Sequence, residues 1–161
     1  MIVKVNFRFM VKGAIMYSIS EVANMFDLPV STLRYYDKEG LFPNLKRVSG
    51  IRKFSDNEIE ALRVIECLKK SGLEIKEIKQ FMDWCQEGAS TFEKRRELLG
   101  KRREVLKAEM AEMERNMDML NFKCWYYDTA IKDGTDEKVL AMFPDKFPNE
   151  IQELYNKTHK I

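Results

Sequence analysis

The groups most able to do covalent or metal chemistry are sparse in this 161-residue chain: three cysteines, Cys67, Cys85 and Cys124, and one histidine, His159. The cysteines are widely spaced and odd in number. That argues against a paired-cysteine metal site and against a secreted disulfide scaffold, and fits free thiols in a reducing cytoplasm. A lone histidine near the end gives no placed base for a Ser-His-Asp or Cys-His arrangement, and no Gly-rich loop offers to cradle a phosphate. Neither a metal nor an organic cofactor is expected, and the chain is not expected to be an enzyme. Read from its neighbours Ile65 and Leu68, Cys67 is a small packed helix residue, because free cysteine is commonly buried.

A second concentration of reactive groups is non-covalent. Ser31, Thr32, Arg34, Tyr35 and Tyr36 crowd one short segment, and Lys46, Arg47, Arg52 and Lys53 crowd another that contains no acid. Hydroxyls contact bases or phosphates, and arginine grips guanine through two parallel hydrogen bonds. Such a set needs a rigid element that presents it to a groove. Ser18 and Glu21 form a capping box ahead of Ile19, Val22, Ala23 and Phe26, which share one helical face. Pro29 suits the start of a second helix, Val30 to about Glu39, which stops at Gly40. Two short helices joined by a tight turn make a helix-turn-helix, whose second helix enters the major groove with its early residues facing the bases. Tyr36 is expected as a phosphate donor at the groove edge, with one tyrosine of the pair packing inward. Ser49-Gly50 reads as the turn of a β-hairpin between Leu45–Val48 and Ile51–Phe54. Its cations, Lys46, Arg47 and Arg52, read as a wing on a nucleic-acid backbone, or more plainly as a solvated hairpin.

Charge totals do not oppose this. Lys plus Arg is 28 and Asp plus Glu is 26, for a net charge of +2, with 34% charged and 45% hydrophobic residues. Local clustering decides nucleic-acid binding rather than the sum, and this composition is that of a folded chain. No apolar run approaches the roughly 18 residues of a membrane span.

A second capping box, Ser55 and Glu58, opens a helix to about Ser71, and Glu74 to about Gln86 forms the next. Gly88 marks a linker. Beyond it Leu99, Leu106, Met113, Leu120 and Tyr127 recur every seven residues, and Met110, Met117, Cys124 and Ile131 form a second such series four positions later. Together they make the a and d positions of a coiled coil on one helix of about 38 residues, close to 60 Å at the standard rise. One helix cannot bury such a stripe alone, so self-association is expected, with a methionine-lined peptide groove as the lesser alternative. The expected organisation is therefore a mainly α chain: an N-terminal extension (1–15), a winged helix-turn-helix domain (16–87), a coiled-coil dimerisation helix (91–131) and a tail (132–161). In the tail, helices are expected near Lys138–Phe143 and Asn149–Lys157. In the extension, alternating Val3, Val5, Phe7, Phe9 and Val11 leave two readings open. One is an extra strand or basic arm. The other is an upstream start codon, with Met16 as the native first residue and a ribosome-binding sequence encoded over Lys12-Gly13-Ala14.

The segments YSISEVANMFDLPVSTLRYYDKEGLF and SGIRKFSDNEIEALRVIECLKKSGLEIKEIKQFM, followed by the long helix, resemble the MerR family of bacterial transcription regulators from residue 16 to about 128. The resemblance implies a homodimer whose long helices pair antiparallel. It also implies binding to a promoter pseudo-palindrome and distortion of that DNA to realign it for RNA polymerase, an indirect-readout mechanism. Pro29 and Ser31 stand where many relatives carry Ser and Arg, so base preference does not transfer. Metal-sensing and iron–sulfur members group cysteines after the long helix, where this chain has only Cys124, and the large drug-binding domains need more chain. RRELLGKRREVLKAEMAEMERNMDMLNFKCWYYD resembles short members that answer aldehyde and thiol stress, in which a cysteine occupies the position of Cys67. That implies a thiolate adding to an electrophilic carbonyl, with Arg63, Lys69 and Lys70 favouring the thiolate and Glu66 opposing it. The alternatives are a non-covalent hydrophobic ligand held by Trp84, Trp125, Tyr126 and Tyr127, for which core packing is the plainer reading, a regulator with no effector, or a coiled-coil adaptor that binds no DNA.

Overall fold

The computed structural model describes residues 15–158. Readings of the N-terminal extension therefore lie outside the described residues, Ile15 excepted, as does His159. The order is β1 (Tyr17–Ser18), α1 (Ile19–Phe26), α2 (Val30–Lys38), β2 (Lys46–Val48), β3 (Ile51–Phe54), α3 (Asp56–Lys70), α4 (Ile75–Glu87), a 3-10 turn (Ala89–Thr91), α5 (Phe92–Asp133), α6 (Glu137–Leu140) and α7 (Asn149–Thr158). The fold is mainly helical with a small sheet wing. No described helix is long and apolar enough to cross a membrane.

Both expected capping boxes form. Ser18 accepts from the Glu21 N–H and Glu21 accepts from the Ser18 N–H at 2.7 Å, and the Ser55 N–H donates to Glu58 at 2.8 Å. Each satisfies amide groups that the first helical turn leaves without an internal partner. Asp27, in the left-handed region at φ 52°, ends α1 and turns the chain toward α2. Ser49 and Gly50 both have positive φ, 50° and 79°, which is the backbone of a two-residue hairpin turn whose twist matches the strands. Val48 then pairs with Ile51, and Lys46 with Lys53. Sheet order is β1-β3-β2, with Tyr17 opposite Phe54. The two-residue strand β1 has no periodicity to reveal it in the sequence.

Contacts divide the chain into two compact units, one ending at Arg102 and one running from Arg103 to Ile161. The first unit closes around Val22, Leu33, Phe54, Leu62, Ile65 and Ile78, all at 0% exposure. It extends past the Gly88 turn because α5 begins by packing back. Buried Thr91 donates to the Trp84 carbonyl at 2.6 Å, and Leu98 packs against the core. The second unit has a small aromatic core of Phe122, Val139 and Phe147, covered by Trp125, Tyr126 and Tyr155. Phe122, Phe143 and Phe147 meet edge to face with centroids 4.8–6.1 Å apart, the arrangement that ring quadrupoles favour.

Candidate nucleic-acid interface

Helix α2 is sorted by its period. Leu33 and Tyr36, three residues apart, are buried, while Ser31, Arg34 and Tyr35 are exposed and Thr32 is half-buried beside them. The expected reading residues therefore share a face turned away from the core. Among the described residues, Ser31, Thr32, Arg34 and Tyr35 have no side-chain hydrogen bond or ion pair within the chain. Their donors are uncommitted, as a base-reading surface requires.

Tyr36 corrects the expectation. It is 1% exposed, and its hydroxyl is engaged inside the chain. The hydroxyl donates to Glu66 Oε1 at 2.7 Å and accepts from Lys69 Nζ at 2.9 Å, fastening α2 to α3. Burial, reinforced by the bond to Glu66, pushes its ionisation well above the ordinary tyrosine value. A ring at 1% exposure with both hydroxyl roles filled is a core residue, not a phosphate donor. Its neighbour Tyr35 is 45% exposed and keeps a free hydroxyl among the described residues.

The wing is held by a residue that the sequence reading passed over. Asp37, on α2, accepts from Arg47 Nη2 at 2.8 Å and from Arg52 Nε at 2.7 Å through the same oxygen, Oδ2. Its side chain is only 12% exposed, whereas those of Arg47 and Arg52 are 53% and 25% exposed. Charge-assisted bonds at these lengths are the strong kind, and here they tie both arms of the hairpin to the reading helix. Lys46 stays exposed with no partner among the described residues. The signal for Asp37 was its place directly after the two tyrosines, one turn beyond Leu33 and just ahead of the basic hairpin.

The cysteines separate clearly. Cys67 is exposed on the last turn of α3, which overturns the packing alternative for it; Leu68 takes the inward position instead. Cys85 is buried, and burial pushes its thiol up although the Arg95 guanidinium 3.5 Å away opposes the shift. Cys124 is exposed on α5. Trp125 and Tyr126 pack on the second unit's aromatic core, Tyr127 is 60% exposed, and Trp84 lines a shallow groove with Lys94, Glu97, Leu98 and Lys101 in the first unit. The tail helices thus serve to cover α5 aromatics.

A helix-turn-helix with an uncommitted polar face, flanked by a basic two-stranded wing, defines a winged-helix nucleic-acid binder. Residues 17–84 match the MerR HTH family regulatory proteins and residues 59–121 match the MerR DNA-binding family. An uncharacterized HTH-type transcriptional regulator of Haemophilus influenzae is 36% identical over 131 residues, covering 80% of this chain and 97% of that protein. The HTH-type transcriptional regulator AdhR of Bacillus subtilis is 37% identical over 90 residues, covering 55% of this chain and 64% of AdhR. Among solved structures, HiNmlR is a MerR family regulator lacking the sensor domain and bound to promoter DNA. It matches with a TM-score of 0.64 at 34% identity, over 77% of this chain and 99% of its own. The chain belongs to the MerR family and is a MerR-type DNA-binding transcriptional regulator. The relatives it matches are regulators, not enzymes.

Proposed function

We propose that the chain binds a promoter pseudo-palindrome as a homodimer paired through α5, distorts that DNA to control transcription by RNA polymerase, and answers small electrophiles through Cys67. The observation that carries the dimer is the apolar stripe of α5. Met110, Met113, Met117, Leu120 and Tyr127 are 62%, 69%, 57%, 52% and 60% exposed in one chain, and Leu99, Leu106, Cys124 and Ile131 continue the same seam. A monomer rarely leaves so long an apolar stripe in water, and a second copy supplies the matching stripe. Two recognition helices then present Ser31, Thr32, Arg34 and Tyr35 to two half-sites, with Lys46 and Arg47 at the flanking phosphates. HiNmlR, which lacks a sensor domain and is matched over 99% of its own chain and 77% of this one, is bound to promoter DNA. That likeness supports the same partner here.

The effector reading rests on the exposure of Cys67 within the DNA-binding unit itself. Its sulfur adds to the carbonyl carbon of an aldehyde and the thiol proton passes to the carbonyl oxygen, so no oxidant is needed. Transcription in vitro from the chain's own promoter tests this, with and without a small aldehyde. Wild type is expected to change its output and Cys67→Ala to be indifferent. Equal responses from both proteins would remove Cys67 as the sensor.

A further inference from the structure

The last turn of α3 is closed twice on one acceptor. Ser71 donates its N–H to the Cys67 carbonyl at 3.0 Å and its hydroxyl to the same oxygen at 2.8 Å. The Ser71 carbonyl, next along the chain, accepts the Nε–H of Arg102, which reaches across from α5. At Gly72 the chain turns with φ 88°, and the Arg102 guanidinium occupies the space where a Cβ at that position would lie. Two separate constraints therefore demand glycine at 72: a left-handed backbone and an arginine seated on that backbone. The site also suits a cation electrically, because the carbonyl end of α3 carries the negative pole of its dipole.

Neighbouring arginines differ. Arg103 is exposed, with a 70% exposed side chain that pairs with Glu104 at 3.1 Å on the same helix. Arg95, two turns before Arg102, donates to the Gly88 carbonyl at 3.0 Å and stacks over the Phe92 ring at 4.7 Å. Leu98 packs against the core between them. The first turns of α5 are thus fixed to the α4–α5 corner by Arg95 and to the α3–α4 corner by Arg102. A planar guanidinium on a fixed backbone acceptor holds direction as well as distance.

We propose that Arg102 is a positioning residue for operator recognition: seated on the Ser71–Gly72 corner, it fixes the angle at which α5 meets the DNA-reading helices, and so sets the half-site separation that the dimer accepts. The proposal rests on the reading of the chain as a dimer paired through α5. In such dimers half-site spacing is a geometric property of the protein, and an error in the angle at each α5 root moves both recognition helices.

Binding to a series of duplexes tests it, each with the same two half-sites and a centre lengthened or shortened by single base pairs. Wild type is expected to prefer one spacing sharply. Arg102→Ala is expected to lose about tenfold of that preference, the scale of one hydrogen bond to a charged group, while its affinity for a single half-site stays unchanged. Arg102→Met keeps the stem over Gly72 and loses the donors, and is expected to behave as Arg102→Ala does even if the alanine variant folds poorly. Arg103→Ala is expected to keep the wild-type profile. A wild-type profile from a folded, dimeric Arg102→Met would overturn the role of Arg102. Sedimentation separates the two readings: a monomeric wild type removes the dimer and this proposal with it, whereas dimeric variants with an unchanged profile remove this proposal alone.

Discussion

The core of the first unit and the stripe of α5 are made of the same residue types and end in opposite environments. Leu33, Leu62 and Ile65 are sealed at 0% exposure, whereas Leu106, Met113 and Leu120 stand at 38%, 69% and 52%. The difference is one of chain geometry. Helices α1 to α4 are short, with tight turns at Asp27 and Gly72 and the hairpin wing between α2 and α3, so each apolar face finds another within the same chain. Helix α5 runs 42 residues without a turn, so its apolar stripe meets no second turn-linked segment of the same helix. The first unit is stabilised by burial within one molecule, at roughly 25 cal/mol per Å² of apolar surface; the middle of α5 leaves its stripe open to solvent in a single chain and gains none of that.

The largest expected effect tests the sealed side. Leu62→Ala should cost about 3 kcal/mol, a cavity in a core that cannot collapse fully. Urea unfolding of the first unit, followed with Trp84, should show that loss. Next comes the open side. Met113→Glu should leave a single chain folded by circular dichroism but convert dimer to monomer in sedimentation. Operator affinity should fall about 100-fold, because each half-site then binds without the effective concentration its partner supplied. A Met113→Glu chain that still sediments as a dimer would break the comparison.

Two smaller effects sharpen it. Asp37→Asn should loosen the wing from α2 while freeing cationic charge toward any phosphate. Affinity for random DNA should therefore rise, and the operator-to-random ratio should drop about tenfold, in proportion to a lost charge-assisted bond. Competition binding measures both at once. The smallest effect is pH dependence from Tyr36. Its folded ionisation lies above its unfolded one, so its contribution is fully present below about pH 10 and is lost as pH rises beyond the unfolded value and the unfolded chain releases the proton first. Tyr36→Phe should be less stable at neutral pH and should flatten the alkaline decline in unfolding free energy.

What could be read from the sequence was what local chemistry dictates. Ser18 with Glu21, Ser55 with Glu58, and Ser49-Gly50 each contain their whole signal within four residues, and the heptads of α5 repeat often enough to survive any single exception. What could not be read depends on pairs distant in sequence. Tyr35 and Tyr36 are identical side chains; the helical period carries Tyr36 to the face of buried Leu33, and only the meeting of α2 with α3 gives its hydroxyl Glu66 and Lys69 as partners. Asp37 carries no sign of its role within its own helix, because its partners Arg47 and Arg52 lie 10 and 15 residues further along the chain. Strand β1 exists only because β3 offers an edge to Tyr17. The core of the tail could not be read because it gathers Phe122, Trp125 and Tyr126 from α5, Phe143 and Phe147 from the loop before α7, and Tyr155 from α7 itself.

Asp37 makes a carboxylate the resident counterion of the wing. An arginine that leaves Asp37 for a DNA phosphate exchanges one anion for another, so its arrival releases fewer condensed cations from the duplex than its formal charge implies. Lys46, which is exposed and has no such resident partner among the described residues, has no anion to exchange. The slope of binding against salt should therefore count Lys46 as about one phosphate contact and Arg47 as a fraction of one, although the two are consecutive residues of the same strand.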